Sequence, residues 1–134
     1  MKIIAVLGLL ALLSGCFSET TSAPNLKLNY ADTPIELTKH VTGDWQMVCI
    51  LGPYSDNELA QEVIGFSWPL ESLSSVWIND GVSLLIFTKN ESVQSYFEVA
   101  RGKYDFNSLD EQCFNRSDAI FTKVDGQVVV FKQS

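Results

Sequence analysis

The spacing of apolar and polar positions changes several times along the chain, and each change predicts an element. Residues 45–51 (WQMVCIL) are apolar and aromatic enough for a buried strand. Gly52-Pro53 ends it, because proline lacks the N–H that a ladder needs. Ser55-Asp56-Asn57-Glu58 has the form of a capping box, with Ser55 at the N-cap and Glu58 three residues on. Leu59, Ala60, Val63 and Ile64 then fall at helical spacing up to Gly65, which predicts a helix of about nine residues. Residues 66–74 are irregular, broken at Trp68-Pro69.

Three strand-like runs follow. Residues 75–79 (SVWIN) lead into Asp80-Gly81, a strong hairpin signal. Residues 82–88 (VSLLIFT) are apolar on both faces and predict a central strand. Lys89-Asn90-Glu91 turns the chain, and residues 92–100 alternate. Val93, Phe97 and Val99 are expected on the core face, with Gln94, Tyr96 and Glu98 facing water. Asn107-Ser108 followed by LDEQCF predicts one or two helical turns carrying Cys113. Residues 119–124 and 127–131 flank Asp125-Gly126, a second hairpin of the same kind. The expected class is α+β: a mostly antiparallel sheet of five or six strands with one short helix, occupying residues 35–134.

Upstream, residues 16–34 read as a tether. As a flexible coil, residues 17–34 would span roughly 23 Å. Leu26, Leu28 and Tyr30 alternate and could pair as an edge strand, so the loose part is expected to end near Asn25. The chain has 134 residues, of which 46% are hydrophobic and 19% charged, a composition that folds and a length that fits one domain. Its net charge of −7 argues against nucleic-acid binding, which needs cations to displace counterions from phosphate.

The N-terminus adds a location. After Met1-Lys2, residues 3–13 (IIAVLGLLALL) are an unbroken apolar run, too short for a spanning helix and of the length of a signal-peptide core. Leu13-Ser14-Gly15-Cys16 follows. This stretch resembles the signal peptide and lipobox of bacterial lipoproteins. The resemblance implies removal of residues 1–15 and lipidation of Cys16. Its acyl chains would hold the protein firmly to a membrane. Phe17, rather than Asp, follows the cysteine, which in a Gram-negative cell implies the outer membrane, facing the periplasm. With Cys16 taken by lipid, Cys49 and Cys113 remain, and an oxidising compartment predicts a disulfide between them. Loss of Lys2 leaves eight basic against sixteen acidic residues, a mature charge of −8.

Candidate chemistry is sparse. Gly65-Phe66-Ser67-Trp68-Pro69 departs from the nucleophile-elbow pattern at its last position, and the glycines build no phosphate-binding loop. The one histidine, His40, cannot supply a histidine-based metal site and reads as a polar surface residue; no metal and no cofactor are expected. Glu58 with Glu62, and Asp110 with Glu111, read as a solvated acidic face; hydrolysis would need two carboxylates set across a cleft. Tyr54, Trp68, Tyr96 and Tyr104 lie in or beside loops or on a polar strand face. Tyr54 and Trp68, both next to proline, are the candidate contact residues, since exposed Tyr and Trp are enriched in binding hot spots. Trp45 and Trp77, within predicted strands, are assigned to the core. The expected function is a non-enzymatic cell-envelope lipoprotein that grips a basic protein partner, in the manner of an inhibitor or immunity protein. The alternative is a small periplasmic hydrolase or ligand-binding domain built from loop carboxylates and aromatics.

Overall fold

The computed structural model describes residues 21–29 and 34–132. The expected signal peptide, Cys16, and residues 16–20 and 30–33 of the expected tether, Tyr30 included, lie outside the described residues. Among the described residues the class is α+β, with seven strands in two antiparallel sheets, a main helix and a short one. In chain order these are β1 (Ile35–Glu36), β2 (Met47–Leu51), α1 (Asn57–Ile64), α2 (Leu70–Leu73), β3 (Val82–Lys89), β4 (Ser92–Ala100), β5 (Cys113–Asn115), β6 (Ile120–Val124) and β7 (Gln127–Val130). The larger sheet runs β4-β3-β2-β5 and the smaller β1-β6-β7. Among the described residues no helix is long and apolar enough to cross a membrane.

The larger sheet is covered on both faces. On one, Trp45, Val48, Ile50, Leu85, Phe87 and Val99 join Ile35, Phe121 and Val128 of the smaller sheet in the main core. On the other, Leu51, Leu84 and Ile86 pack with Ala60 of α1, Leu70 of α2 and Val76. Burial on two sides is why β2 and β3 read as continuous apolar runs.

The same layering corrects the expectation for β4. A bulge pairs Phe87 with Ser95 but Thr88 with Val93, so Gln94 is the extra residue. Val93 thereby moves to the helix-covered face beside Tyr96. Glu98, expected in water, is buried.

Three local expectations also change. The N-cap of α1 is Asp56, whose carboxylate accepts from the Leu59 N–H; Ser55 instead donates its hydroxyl to the Gly52 carbonyl. Gly65 closes the helix in the left-handed region at φ 87°, as its position predicts. Residues 66–74 contain α2. Residues 75–79 form a turn, not a strand, and Asp80-Gly81 closes no hairpin. The hairpin at Asp125-Gly126 does form, with both residues at positive φ.

Cys113 lies on β5 rather than on a helical turn; the turn is the 3₁₀ segment Phe106–Leu109. The cause is a close approach to the end of β2. The Gly52 N–H donates to Asp110 Oδ1, and the Glu111 N–H to the Ile50 carbonyl. A Cβ at position 52 would fall 2.5 Å from Asn107 Oδ1 and 3.0 Å from Asp110 Cγ, so a larger residue would have to displace both side chains. The chain is then delivered alongside β2, where Cys49 and Cys113 are direct cross-strand partners joined as a disulfide. Part of the expected tether is also built into the fold. Leu26 N–H donates to the Glu98 carbonyl and Glu98 N–H to that of Pro24, and Leu26 and Leu28 pack on the main core.

Candidate functional site

The described surface carries four large exposed hydrophobic residues, and three of them stand on two loops joined by a backbone hydrogen bond. Tyr54 is 66% exposed, Ile78 48% and Trp77 37%. Tyr54 follows the turn after β2 and sits at φ 66°, a region uncommon for a bulky residue. Its N–H donates to the Val76 carbonyl at 2.8 Å, which brings the two loops together. Val76 itself points into the helix-side core, so Trp77 and Ile78 are turned outward.

What fixes that turn is the Glu98 carboxylate. Oε2 accepts from the Ala23 N–H, the Ser74 hydroxyl and the Ser75 N–H at 2.8–2.9 Å, and Oε1 from the Ser75 hydroxyl at 3.0 Å. The Ser74 hydroxyl oxygen also accepts from the Val76 N–H. Donors that a strand would have given to a ladder thus go to a buried side chain, and residues 75–78 bend instead of extending. Buried donors need partners, and here all of them have one.

Arg101 holds the far end of the turn. Its N–H donates to the Gly81 carbonyl and its Nη1 to the Asp80 carbonyl, while its guanidinium pairs with Asp105 at 3.0 Å. Burial alone would raise the Asp105 carboxyl. Hydrogen bonds from Arg101, the Asn107 N–H and Gln127, with the charge of Arg101, outweigh it and hold the group below its ordinary value. Three exposed carboxylates lie close in the chain to these residues: Asp56 and Glu58 follow Tyr54, and Asp80, within reach of the Arg101 charge, follows Ile78 by two.

The other expected site residues are dispersed. Trp68 is half-buried, edge-on to Tyr96 with ring centroids 5.1 Å apart, and belongs to the helix-side core. Tyr104 is buried, with Lys123 over its ring. Trp45 is core as expected, whereas Trp77, expected in the core, is a surface residue. Asp110 is engaged with the Gly52 N–H, and no group of three His, Cys, Asp or Glu able to hold a metal occurs among the described residues. Trp77 was missed because its neighbours read as a strand. The signal was the serine pair Ser74-Ser75, but its partner, Glu98, lies 23 positions from Ser75. Comparison of the chain with protein-family models, curated proteins and solved structures found no match in any of the three.

Proposed function

We propose that this protein is a lipid-anchored, non-enzymatic component of the cell envelope that binds a basic protein partner through Tyr54, Trp77 and Ile78. The carrying observation is the pre-set turn. Two exposed aromatics and an isoleucine stand on loops whose backbone is already hydrogen-bonded to Glu98 and Val76, so binding would order little more chain. Trp77 takes the place first given to Trp68 as the partner of Tyr54. Exposed Asp56, Glu58 and Asp80 favour a basic partner by steering and complementarity. The anchor rests on the lipobox ending at Cys16 and the outer-membrane destination on Phe17.

Processing, capture and association rate each test the reading. Intact-mass analysis of membrane-extracted protein is expected to show loss of residues 1–15 plus acyl mass; a Cys16→Ala variant that stays with the membrane fraction would defeat the anchor. Affinity capture from envelope extract is expected to recover a basic protein with the wild type and to lose it with Tyr54→Ala/Trp77→Ala. Once the partner is in hand, its association rate should fall as salt screens exposed charge, the Debye length being about 8 Å at 0.15 M. Undiminished capture by the double variant would remove the patch from the function.

A further inference from the structure

A second region, independent of the partner reading, carries a pocket. A hollow of about 730 Å³ opens where β1 and β6 of the smaller sheet meet the start of β2 and the end of β5. That volume lies in the range of small-molecule sites. Its lining includes Asn115, Ser117 and Ile120, two carboxylates, Glu36 and Asp44, and one cation, Arg116.

The charges here are unequal in their commitments. Glu36 pairs with Lys39 at 3.2 Å and Asp44 with Lys89. Arg116 has no carboxylate within ion-pair distance among the described residues, though its charge reaches Asp44, whose carboxyl is held below its ordinary value chiefly by Lys89 and more weakly by Arg116. Its Nη1 donates to the carbonyls of Gly43 and Trp45, both at 3.0 Å, and its guanidinium lies 4.5 Å over the Trp45 ring. The ring is fixed in turn by its own Nε1–H, which donates to the Val41 carbonyl. The guanidinium is therefore held in place by one corner, while Nε and Nη2 donate to no described residue. In a chain of net charge −7, this is a positioned cation with half its fork open.

We infer that this pocket binds a small organic monocarboxylate with an apolar body. The coplanar Nε and Nη2 donors match the two oxygens of a carboxylate. A single cation balances one negative charge, and a phosphate dianion would find no second one. A smaller hollow of about 390 Å³ shares Ser117 and Ile120 with the first and is lined further by Val130 and Phe131. It offers an apolar wall to the rest of the ligand. Asp118, also in that hollow, would repel a second acidic group.

The test uses the full chain in detergent micelles, titrated with benzoate, benzamide and inorganic phosphate while backbone amide resonances are followed. Benzoate is expected to give saturable shifts centred on Gly43, Asn115, Arg116 and Ser117. Benzamide and phosphate should bind at least about tenfold more weakly, the loss expected when a charge-assisted pair is removed. Arg116→Lys, which keeps the charge but not the fork, should lose a similar factor. Ser117→Trp should block the pocket while leaving the Arg116 contacts to Gly43 and Trp45 in place. The inference is overturned by absence of saturation, by equal response to benzamide or phosphate, or by full benzoate affinity in either variant.

Discussion

Glu98 and Arg116 meet the same need in two regions of the molecule. Glu98 lies within β4 and Arg116 just after β5, and each uses an ionisable side chain to satisfy backbone groups that no ladder reaches. Glu98 accepts for the N–H and hydroxyl donors of Ala23, Ser74 and Ser75; Arg116 donates to the carbonyls of Gly43 and Trp45. The difference is completeness. Glu98 is only 3% exposed and both its oxygens are engaged, so it shapes a surface it does not join. Arg116 is half-buried and, among the described residues, uses one of its three nitrogens. A complete network acts on function through the conformation it imposes; an incomplete one facing a pocket is available to a ligand.

The largest expected effect falls on the Arg116 side. The disulfide ties β5, a strand of only three residues, to β2, and Arg116 follows β5 directly. Cys49→Ala/Cys113→Ala is expected to cost about 4 kcal/mol in urea unfolding, by the chain-entropy relation for a sequence separation of 64. Hydrogen exchange should rise first at residues 113–118. Equal loosening of the Ser74–Ser75 turn would show that the two regions are not separately held. Next is Glu98→Ala, expected to destabilise by about 3 kcal/mol because it strands several buried donors at once. Glu98→Gln should cost roughly half that, since the amide keeps one acceptor oxygen. Both should weaken partner capture through Trp77 while leaving the shifts at Arg116 unchanged. Arg116→Met is smaller, about 1 kcal/mol, because it removes two hydrogen bonds and a ring contact at a half-buried site. Thermal denaturation of these variants side by side would measure the asymmetry.

What the sequence made legible follows the same line. Residues 45–51 and 82–88 are readable as buried strands, and form as Met47–Leu51 and Val82–Lys89, because burial on two faces leaves a largely apolar run. The two Asp-Gly pairs show where local pattern stops. Asp125-Gly126 turns a hairpin because residues on both sides pair with each other. Asp80-Gly81 has the same chemistry, yet the donors of Ser74 and Ser75 are claimed by Glu98, and β3 pairs with β4 across Asn90 instead. One distant carboxylate thus overrides the turn signal and turns Trp77 from core to surface. The Val93 face was misjudged because a bulge resets the period by one residue, which alternation does not reveal. The Arg116 pocket had no signature, since its walls come from four separate stretches of chain.

The smallest expected effect separates the two anchors of the Ser74–Gly81 turn. Glu98 grips its start from within the core, whereas Arg101 grips its end through a pair with Asp105 that is partly open to water, the side chains being 30% and 15% exposed. Arg101 and its neighbours hold the Asp105 carboxyl below its ordinary value of 3.8 once burial is outweighed. A group whose folded-state value is depressed contributes stability above its unfolded value and loses it as pH falls through the folded one. Asp105→Asn should therefore lower stability by about 0.5–1 kcal/mol at pH 7. The gap from wild type should begin to close as pH falls below the ordinary value of 3.8 and go on closing until the folded carboxyl, whose value is lower, takes up its proton. Urea unfolding of the two proteins at pH 7, 4 and 3 would follow it. A gap that persists unchanged at pH 3 would mean that Asp105 acts through hydrogen bonds alone. Loss of partner capture in Asp105→Asn, with Glu98 intact, would mean that the turn is set from its far end rather than from the core.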